Sequence, residues 1–521
     1  MGNSKSSGNS IEKKAGFDVP YSRETRSLCP VCFSTVDARV FEEDGRIFIE
    51  KECEEHGHFR DVYWSDAPLF KKHLMYAVEG DPIDNPNTRS RGDCPRDCGL
   101  CDGHQTHTML ANIDLTNRCN LHCPICFANA DAAGYVYEPT LEQVRQMLLM
   151  LREQRPNPVW AVQFSGGEPT VYPQIFEAIE LAKRLGMAYV IVATNGVKIA
   201  EDVGFARQLK RSGLTVAYLQ FDGLTPEPYV QARGFDALPV KLQAVRNLRE
   251  ADIPTTLVPT VVKGVNDDQL GAIIDYGFRN LDIVKAVNFQ PVSFTGRIDG
   301  EELERMRITV SDVMRLVEEQ TGGRILRGDW MPIPAFAPLE SMMEKISRER
   351  RSKASTHPHC GAGLYLFEKD GEYVPMNRFI DLDAAREMIL EELGSKRRVM
   401  GDLRLKTSLV YKIAKTMDQK EAPGYFNYGE LLREALQNGL SKIPPVLKRK
   451  GLFVGCMHFM DPYNYDLERV QRCLIHYAVP DGRIIPFCTM NNIHRADVEK
   501  KFGIPIKEWQ SKHKVEISQP I

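Results

Sequence analysis

The chain has 521 residues, 43% of them hydrophobic, and a formal charge of −3. It is long enough for about three or four packed units and too nearly neutral to bind nucleic acid through bulk charge. No run of about 18 apolar residues exists to cross a bilayer, and no apolar N-terminal signal segment is present. Thirteen cysteines fall into groups at 29/32/53, 94/98/101, 119/123/126 and 360/456/473/488. An odd number in such groups points to metal ligation in a reducing, cytoplasmic setting rather than to a disulfide framework.

Residues 1 to 25, rich in Ser, Asn and Lys, read as a disordered tail. Met1-Gly2-Asn3-Ser4-Lys5-Ser6 also fits the myristoylation pattern, for which a flexible tail is the plainer account. Residues 26 to 64 read as a small metal-nucleated unit, with Cys29-Pro-Val-Cys32, a hairpin turning at Gly45, and Cys53-Glu-Glu-His56. Three thiols and one imidazole make a tetrahedral set for a single zinc or iron, with His56 as the fourth ligand and His58 as its substitute. Residues 65 to 108 form a segment around Cys94-Pro-Arg-Asp-Cys98-Gly-Leu-Cys101.

From 109 to 300, apolar runs alternate with amphipathic stretches. Strands are expected at 110–115, 159–164, 188–193, 215–221, 255–262 and 285–291. Helices lie between them, such as 140–153 with Leu141, Val144, Leu148 and Leu151 on one face, and 172–185 with Ile175, Ile179 and Leu181. Six strand–helix repeats predict an α/β fold, a partial (β/α)6 barrel whose chemistry sits at the carboxyl ends of its strands. Residues 301 to 445 read as helices with charged faces, offering candidates for a substrate tunnel. Residues 446 to 521 read as a C-terminal iron-sulfur unit.

The segment Cys119-Asn-Leu-His-Cys123-Pro-Ile-Cys126 follows the first strand. Three thiolates at this spacing hold three irons of a [4Fe-4S] cluster and leave the fourth open. The motif resembles the radical S-adenosylmethionine (SAM) superfamily. That resemblance implies a radical SAM barrel in which the open iron takes the amino and carboxylate groups of SAM. One electron from the cluster then yields a 5'-deoxyadenosyl radical able to take hydrogen from unactivated carbon. Ser165-Gly166-Gly167-Glu168-Pro169, after the second strand, matches the superfamily loop that meets the SAM ammonium, with Glu168 as its carboxylate partner. Thr194 and Asn195 after the third strand, and Gln220 and Asp222 after the fourth, are placed to reach the ribose and the methionine carboxylate, although Asn-Gly and Asp-Gly are also ordinary turn formers. The residue before the third cysteine is often aromatic in this superfamily. Here it is Ile125, so adenine would lean on Ile125 or on Phe127. Cys94, Cys98 and Cys101 repeat the spacing and read as an auxiliary [4Fe-4S] cluster with a non-cysteine or exchangeable fourth ligand, zinc being the plain structural alternative. Cys360, Cys456, Cys473 and Cys488 read as a second auxiliary cluster with all four ligands supplied.

From about residue 26 onward the chain resembles one radical SAM family, the archaeal tetraether lipid synthases, whose members have also been described as pterin methylases. The likeness rests on Cys29 to Cys32, Cys94 to Cys101, Cys119 to Cys126, and a C-terminal block. That block contains Met457-His-Phe-Met-Asp461, Asp466-Leu-Glu-Arg469, Arg472-Cys-Leu-Ile-His-Tyr477 and Pro480-Asp-Gly-Arg-Ile-Ile-Pro-Phe-Cys488. The resemblance implies an enzyme, with no catalytic side chain assigned, that joins the terminal methyl carbons of two phytanyl chains of archaeal phospholipids into biphytanyl tetraether (GDGT) or macrocyclic lipids. Two SAM molecules serve each new bond, and the first carbon radical is stored as a cluster-bound alkyl group at the 94/98/101 site. Ferredoxin or flavodoxin supplies electrons. The alternative enzyme is a radical SAM C-methylase of a pterin in methanopterin biosynthesis. The alternative of another class is a multi-cluster electron-transfer protein, against which the intact SAM motif speaks. A lipid substrate also asks for peripheral membrane contact. Residues 402 to 417 can place Leu403, Val410, Ile413 and Met417 on one helical face and Arg404, Lys412 and Lys415 elsewhere, although a helix covering a core is the plainer reading.

Overall fold

The computed structural model describes residues 19–130, 134–298, 300–348, 350–394, 411–412, 414–426 and 450–513. Period-two alternation near the N-terminus produces an antiparallel meander of β1 (Ser22–Leu28), β2 (Thr35–Glu43), β3 (Arg46–Cys53) and β4 (Gly57–Trp64). The β2–β3 turn uses Asp44 and Gly45 at φ 48° and 72°, a pair that matches the twist of a two-residue hairpin. The meander starts four residues before the expected boundary at 26, because Arg23 and Thr25 are tied to Asp466 at 2.7 and 2.8 Å.

All six expected barrel strands form: β5 (Leu110–Thr116), β6 (Ala161–Gly166), β7 (Tyr189–Thr194), β8 (Val216–Gln220), β9 (Thr255–Val258) and β10 (Val284–Pro291). They pair in chain order, each parallel to the next. One face of the sheet is packed under helices. Val162, Phe164, Val190, Val192, Leu219, Leu257 and Val287 are fully buried there with Val144, Leu148 and Leu151 of α1 (Leu141–Arg152). Each such side chain is worth about 1.5–3 kcal/mol of burial. Thr140 and Gln143 start α1 with a reciprocal capping box.

The C-terminal segment is not the separate unit the sequence suggested. Its strand β12 (Gly451–Met457) pairs parallel with β10 and antiparallel with β11 (Gly361–Lys369). At the other edge β13 (Ile475–Ala478) pairs parallel with β5 and antiparallel with β14 (Ile484–Pro486). The physical reason is the sheet edge: β5 and β10 would otherwise expose rows of unpaired backbone groups. No helix among the described residues is long and apolar enough to cross a membrane. Most of the expected amphipathic helix at 402–417, namely 402–410 and 413, lies outside the described residues, as does the tail to residue 18. Lys412 itself pairs with Glu392 at 2.7 Å.

Candidate active site and metal centres

The loop after β5 carries Cys119, Cys123 and Cys126, all partly buried. The end of β6 shapes it: Gly167 N–H donates to Thr116 O at 2.7 Å and Glu168 N–H to Arg118 O at 2.9 Å. A Cβ on Gly166 or Gly167 would collide with those same carbonyls. The glycines are thus required for the close approach of the β5 and β6 ends within the protein. Pro169 opens a short 3-10 turn, and Ser165 Oγ donates to Asp114 Oδ1 at 2.7 Å.

Glu168 is paired within the protein. Its carboxylate is buried and accepts from Thr170 N–H (3.1 Å), Thr170 Oγ (2.6 Å), Thr194 Oγ (2.7 Å) and Asn195 N–H (2.7 Å). Burial still raises its pKa against those four donors. It pins the ends of β6 and β7 together, and Thr194 is part of the same pin. Asn195 does face the cysteine loop: its Nδ2 donates to Asn120 Oδ1 at 2.7 Å and lies 4.0 Å from Cys119 Sγ. Asp222 is fully buried, held by Arg233 through Nε (2.8 Å) and Nη2 (3.0 Å), by Thr260 N–H (3.1 Å) and by Gln220 Nε2. Gln220 Oε1 accepts from Lys241 Nζ at 2.8 Å. Asp222 and Gln220 thus brace the carboxyl ends of the strands that carry them. Ile125 packs with Val262, Val292 and Phe294, whereas Phe127 stays 42% exposed.

Sequence reasoning missed three cations. Arg233 Nη1 donates to Ile125 O at 3.0 Å, and Lys241 sits fully buried behind Asn195. Arg297 holds Cys123 O (2.7 Å), Cys126 O (3.0 Å) and Ala130 O (2.6 Å). Gly296, at φ +75°, leaves no room for a Cβ beside Cys126 O. No local spacing links these residues to the cysteines. Burial raises the pKa of both Cys119 and Cys123; next in effect, the charge of Glu168 adds to the rise at Cys119 while the Arg233 charge opposes it at Cys123. Three partly buried thiols in a loop whose carbonyls are held by arginines fit an anionic iron-sulfur cluster.

In the N-terminal meander the ligand atoms of Cys29, Cys32, Cys53 and His56 all lie within 4.8 Å of one another. Cys32 and Cys53 Sγ are 4.0 Å apart, and His56 Nδ1 is 3.7 Å from Cys29 Sγ and 3.5 Å from Cys53 Sγ. A tetrahedral ion with metal–sulfur bonds of about 2.3 Å needs sulfurs roughly 3.8 Å apart, so the set fits zinc or iron with His56 as fourth ligand. His58 points instead to Glu50, at 3.9 Å.

Cys94 and Cys98 are pushed up by burial and then by the charges of the other cysteines in their group, Cys94 to about 11. This knuckle packs against the C-terminal segment: Cys94 touches the cluster of Tyr465, Phe487 and Cys488, and His494 Nε2 meets Pro95 O at 3.1 Å. Within the spread group of four, three cysteines act on one another. After burial, the charges of Cys488 and Cys360 raise Cys473, and Cys488, pushed up to about 12, is raised in part by Cys360. Cys456 is set apart by its place on the strand. On β12 it alternates with Leu452 and Val454 onto the helix-covered face, 1% exposed, and burial alone raises its pKa.

The sheet face turned away from the helices, the interior of the barrel, carries a band of polar side chains. Gln163 Nε2 donates to Asn112 Oδ1 at 2.9 Å, and Tyr218 Oη accepts from Asn288 Nδ2 (2.5 Å) and Gln290 Nε2 (2.8 Å). Asn112 Nδ2 is buried with no partner. On the same face Asp114 Oδ2 accepts from Arg495 at 2.7 Å.

Residues 113–277 match the Radical SAM superfamily model, and residues 21–65 match the model of an HMPTM N-terminal zinc ribbon domain. A 7,8-dihydro-6-hydroxymethylpterin dimethyltransferase of Methanocaldococcus jannaschii is 45% identical over 501 residues, which is 95% of this chain and 98% of that protein. A PqqA peptide cyclase of Streptomyces rochei is 33% identical over 163 residues, 31% of this chain and 43% of that one. Among solved structures, Streptococcus suis SuiB bound to S-adenosylmethionine is similar at a TM-score of 0.34 and 17% identity, covering 41% of this chain and 47% of that one.

Proposed function

The chain belongs to the family of the Methanocaldococcus pterin dimethyltransferase and is a radical SAM enzyme, and from that premise we propose that it attaches methyl carbon to the ring of a reduced pterin. The observation that carries this reading is the polar band of Asn112, Gln163, Tyr218, Asn288 and Gln290 inside the barrel. A pterin offers alternating ring donors and acceptors to such amides, and the orphaned Asn112 Nδ2 is a donor in want of an acceptor. An alkyl chain in the same place would leave Asn112 Nδ2 without an acceptor, at about 1–3 kcal/mol.

When bound, SAM and its cluster supply the radical that takes hydrogen from carbon. Cys119, Cys123 and Cys126 hold that cluster, Asn195 borders it, Phe127 supports the adenine, and the polar band orients the ring. Cys94, Cys98 and Cys101, and the trio Cys360, Cys473 and Cys488, hold the auxiliary clusters. The enzyme works in the cytoplasm with a ferredoxin or flavodoxin as electron donor.

Lipid coupling is the second reading. One feature favours it: an apolar patch beside Cys126, where exposed Phe127 lies 6.1 Å from Phe487, itself stacked on Phe459 at 3.9 Å. Anaerobic reconstitution with SAM, reductant and either 6-hydroxymethyl-7,8-dihydropterin or an archaeol phospholipid separates the two by mass spectrometry. Methyl groups gained by the pterin support the main reading. SAM cleavage with the pterin unchanged and two hydrogens lost per lipid coupling overturns it.

A further inference from the structure

We propose that Lys241 is the counter-charge of the SAM-binding cluster, a positioning residue that makes this cluster easier to reduce. Lys241 stands in the first turn of the helix Leu238–Glu250 and is completely buried. Its ammonium donates to Asn195 O at 2.5 Å and to Gln220 Oε1 at 2.8 Å, so it braces the carboxyl ends of β7 and β8 from behind. Both acceptors are neutral, and no carboxylate among the described residues lies within ion-pair distance of it. An ammonium taken out of water without a paired anion is costly by several kcal/mol, and chains rarely keep one unless an anion comes to it.

The anions nearby are already committed or belong to the cluster. Asp222 is bidentate to Arg233, and Glu168 is saturated by four donors. What remains is the thiolate of Cys123, whose charge acts on Lys241 after those of Asp222 and Arg233. The residue whose carbonyl Lys241 grips also reaches Cys119 Sγ with its side chain. Burial pulls the lysine down to about 8 even though the charges of Asp222 and Cys123 work to raise it; an anionic cluster in front of it favours the charged form. Arg233 also acts on Cys123, but Asp222 at contact offsets much of its charge, whereas Lys241 has no carboxylate at contact among the described residues. Reduction adds one electron to the cluster, and a fixed positive charge in a low-dielectric surrounding favours the more negative state.

The test is an anaerobic redox titration of the reconstituted full chain, following the electron paramagnetic resonance signal that changes when SAM is added. That change marks the cluster with the open iron and separates it from the others. Lys241→Met should keep the iron content and SAM binding, while the reduced-to-oxidised ratio at a fixed solution potential falls about tenfold, which is about 59 mV for a one-electron couple. Lys241→Arg should return the ratio to within about threefold of the parent. An unchanged ratio in Lys241→Met overturns the proposal, as does an equal fall in Met and Arg variants, which would mark a packing role. Should Lys241→Met fail to assemble iron, Lys241→Gln, which keeps a donor for Asn195 O without the charge, takes its place, and a parental ratio there refutes the idea.

Discussion

Cys456 offers the sharpest test of how the metal sites are partitioned. Its strand register sets it opposite Ala362 on one side and Phe289 on the other, both fully buried or nearly so. It points with Leu452 and Val454 into the helix-covered core. Replacing it by Ala removes one heavy atom from a packed site, a loss of roughly 1 kcal/mol when the cavity stays small. Replacing it by Ser buries a hydroxyl among apolar side chains, at about 1–3 kcal/mol. Neither change touches a metal ligand. Iron and sulfide per chain after anaerobic reconstitution should therefore equal the parent in Cys456→Ala, with a small drop in the urea midpoint that deepens in Cys456→Ser. Cys473→Ala and Cys488→Ala should each lose about four irons. If Cys456→Ala loses the same irons as Cys473→Ala, the face assignment and the three-cysteine grouping are both wrong.

Arg307, buried between Asp461 (2.7 Å) and Asp61 (2.6 Å), joins the N-terminal meander to the C-terminal segment. Arg307→Met should cost about 3–5 kcal/mol by stranding two carboxylates, and adding Asp61→Asn and Asp461→Asn should recover much of it; equal urea midpoints in single and triple variants would contradict this. The same docking should weaken in acid. Burial opposes ionisation of Asp466 and Asp461, yet Arg23 and Arg307 hold both below the usual carboxylate range. Their contribution is complete above the unfolded value of about 4 and is lost as pH falls through the folded one, with Asp61, raised by burial, working the other way. A urea midpoint that holds steady between pH 6 and pH 3 would count against it. His56→Ala should release the single metal of the meander, and His58→Ala should not, as read by zinc and iron analysis. Within the barrel, Tyr218→Phe or Gln290→Leu should raise the pterin KM about three- to tenfold, the value of one neutral hydrogen bond, while uncoupled SAM cleavage is unchanged.

The six barrel strands and the cysteine loop were legible because each depends on local periodicity or spacing. What was not legible depends on pairing between distant segments. Nothing in Gly451–Met457 or Ile475–Ala478 says that these strands close opposite edges of one sheet. The Ser165–Pro169 motif was recognisable, but the direction of the Glu168 carboxylate is decided by Thr170, Thr194 and Asn195, which only the folded chain brings to it. Two signals were present and went unread. Alternation along 451–457 places Cys456 with Leu452 and Val454, hence with the core. The same alternation on the barrel strands lines up Asn112 with Asp114, Gln163 with Ser165, and Asn288 with Gln290, a polar stripe where apolar residues would be expected if the barrel were simply filled. Arg233, Lys241 and Arg297 left no sequence signal, since long cations on helices and loops usually face water.

The pairing of β5 with β13 also fixes a timetable. Chains leave the ribosome N-terminus first at about 5–20 residues per second, so the strand that precedes the Cys119 loop waits on the order of tens of seconds for its outer neighbour. Arg495, which closes on Asp114 from the C-terminal helix, arrives later still. Throughout that interval the loop is open to iron-delivery partners, and the meander can take its single ion long before Cys488 exists. The order of synthesis thus sets the order in which the ligand groups come into being, with the Cys29–His56 set first and Cys488 last.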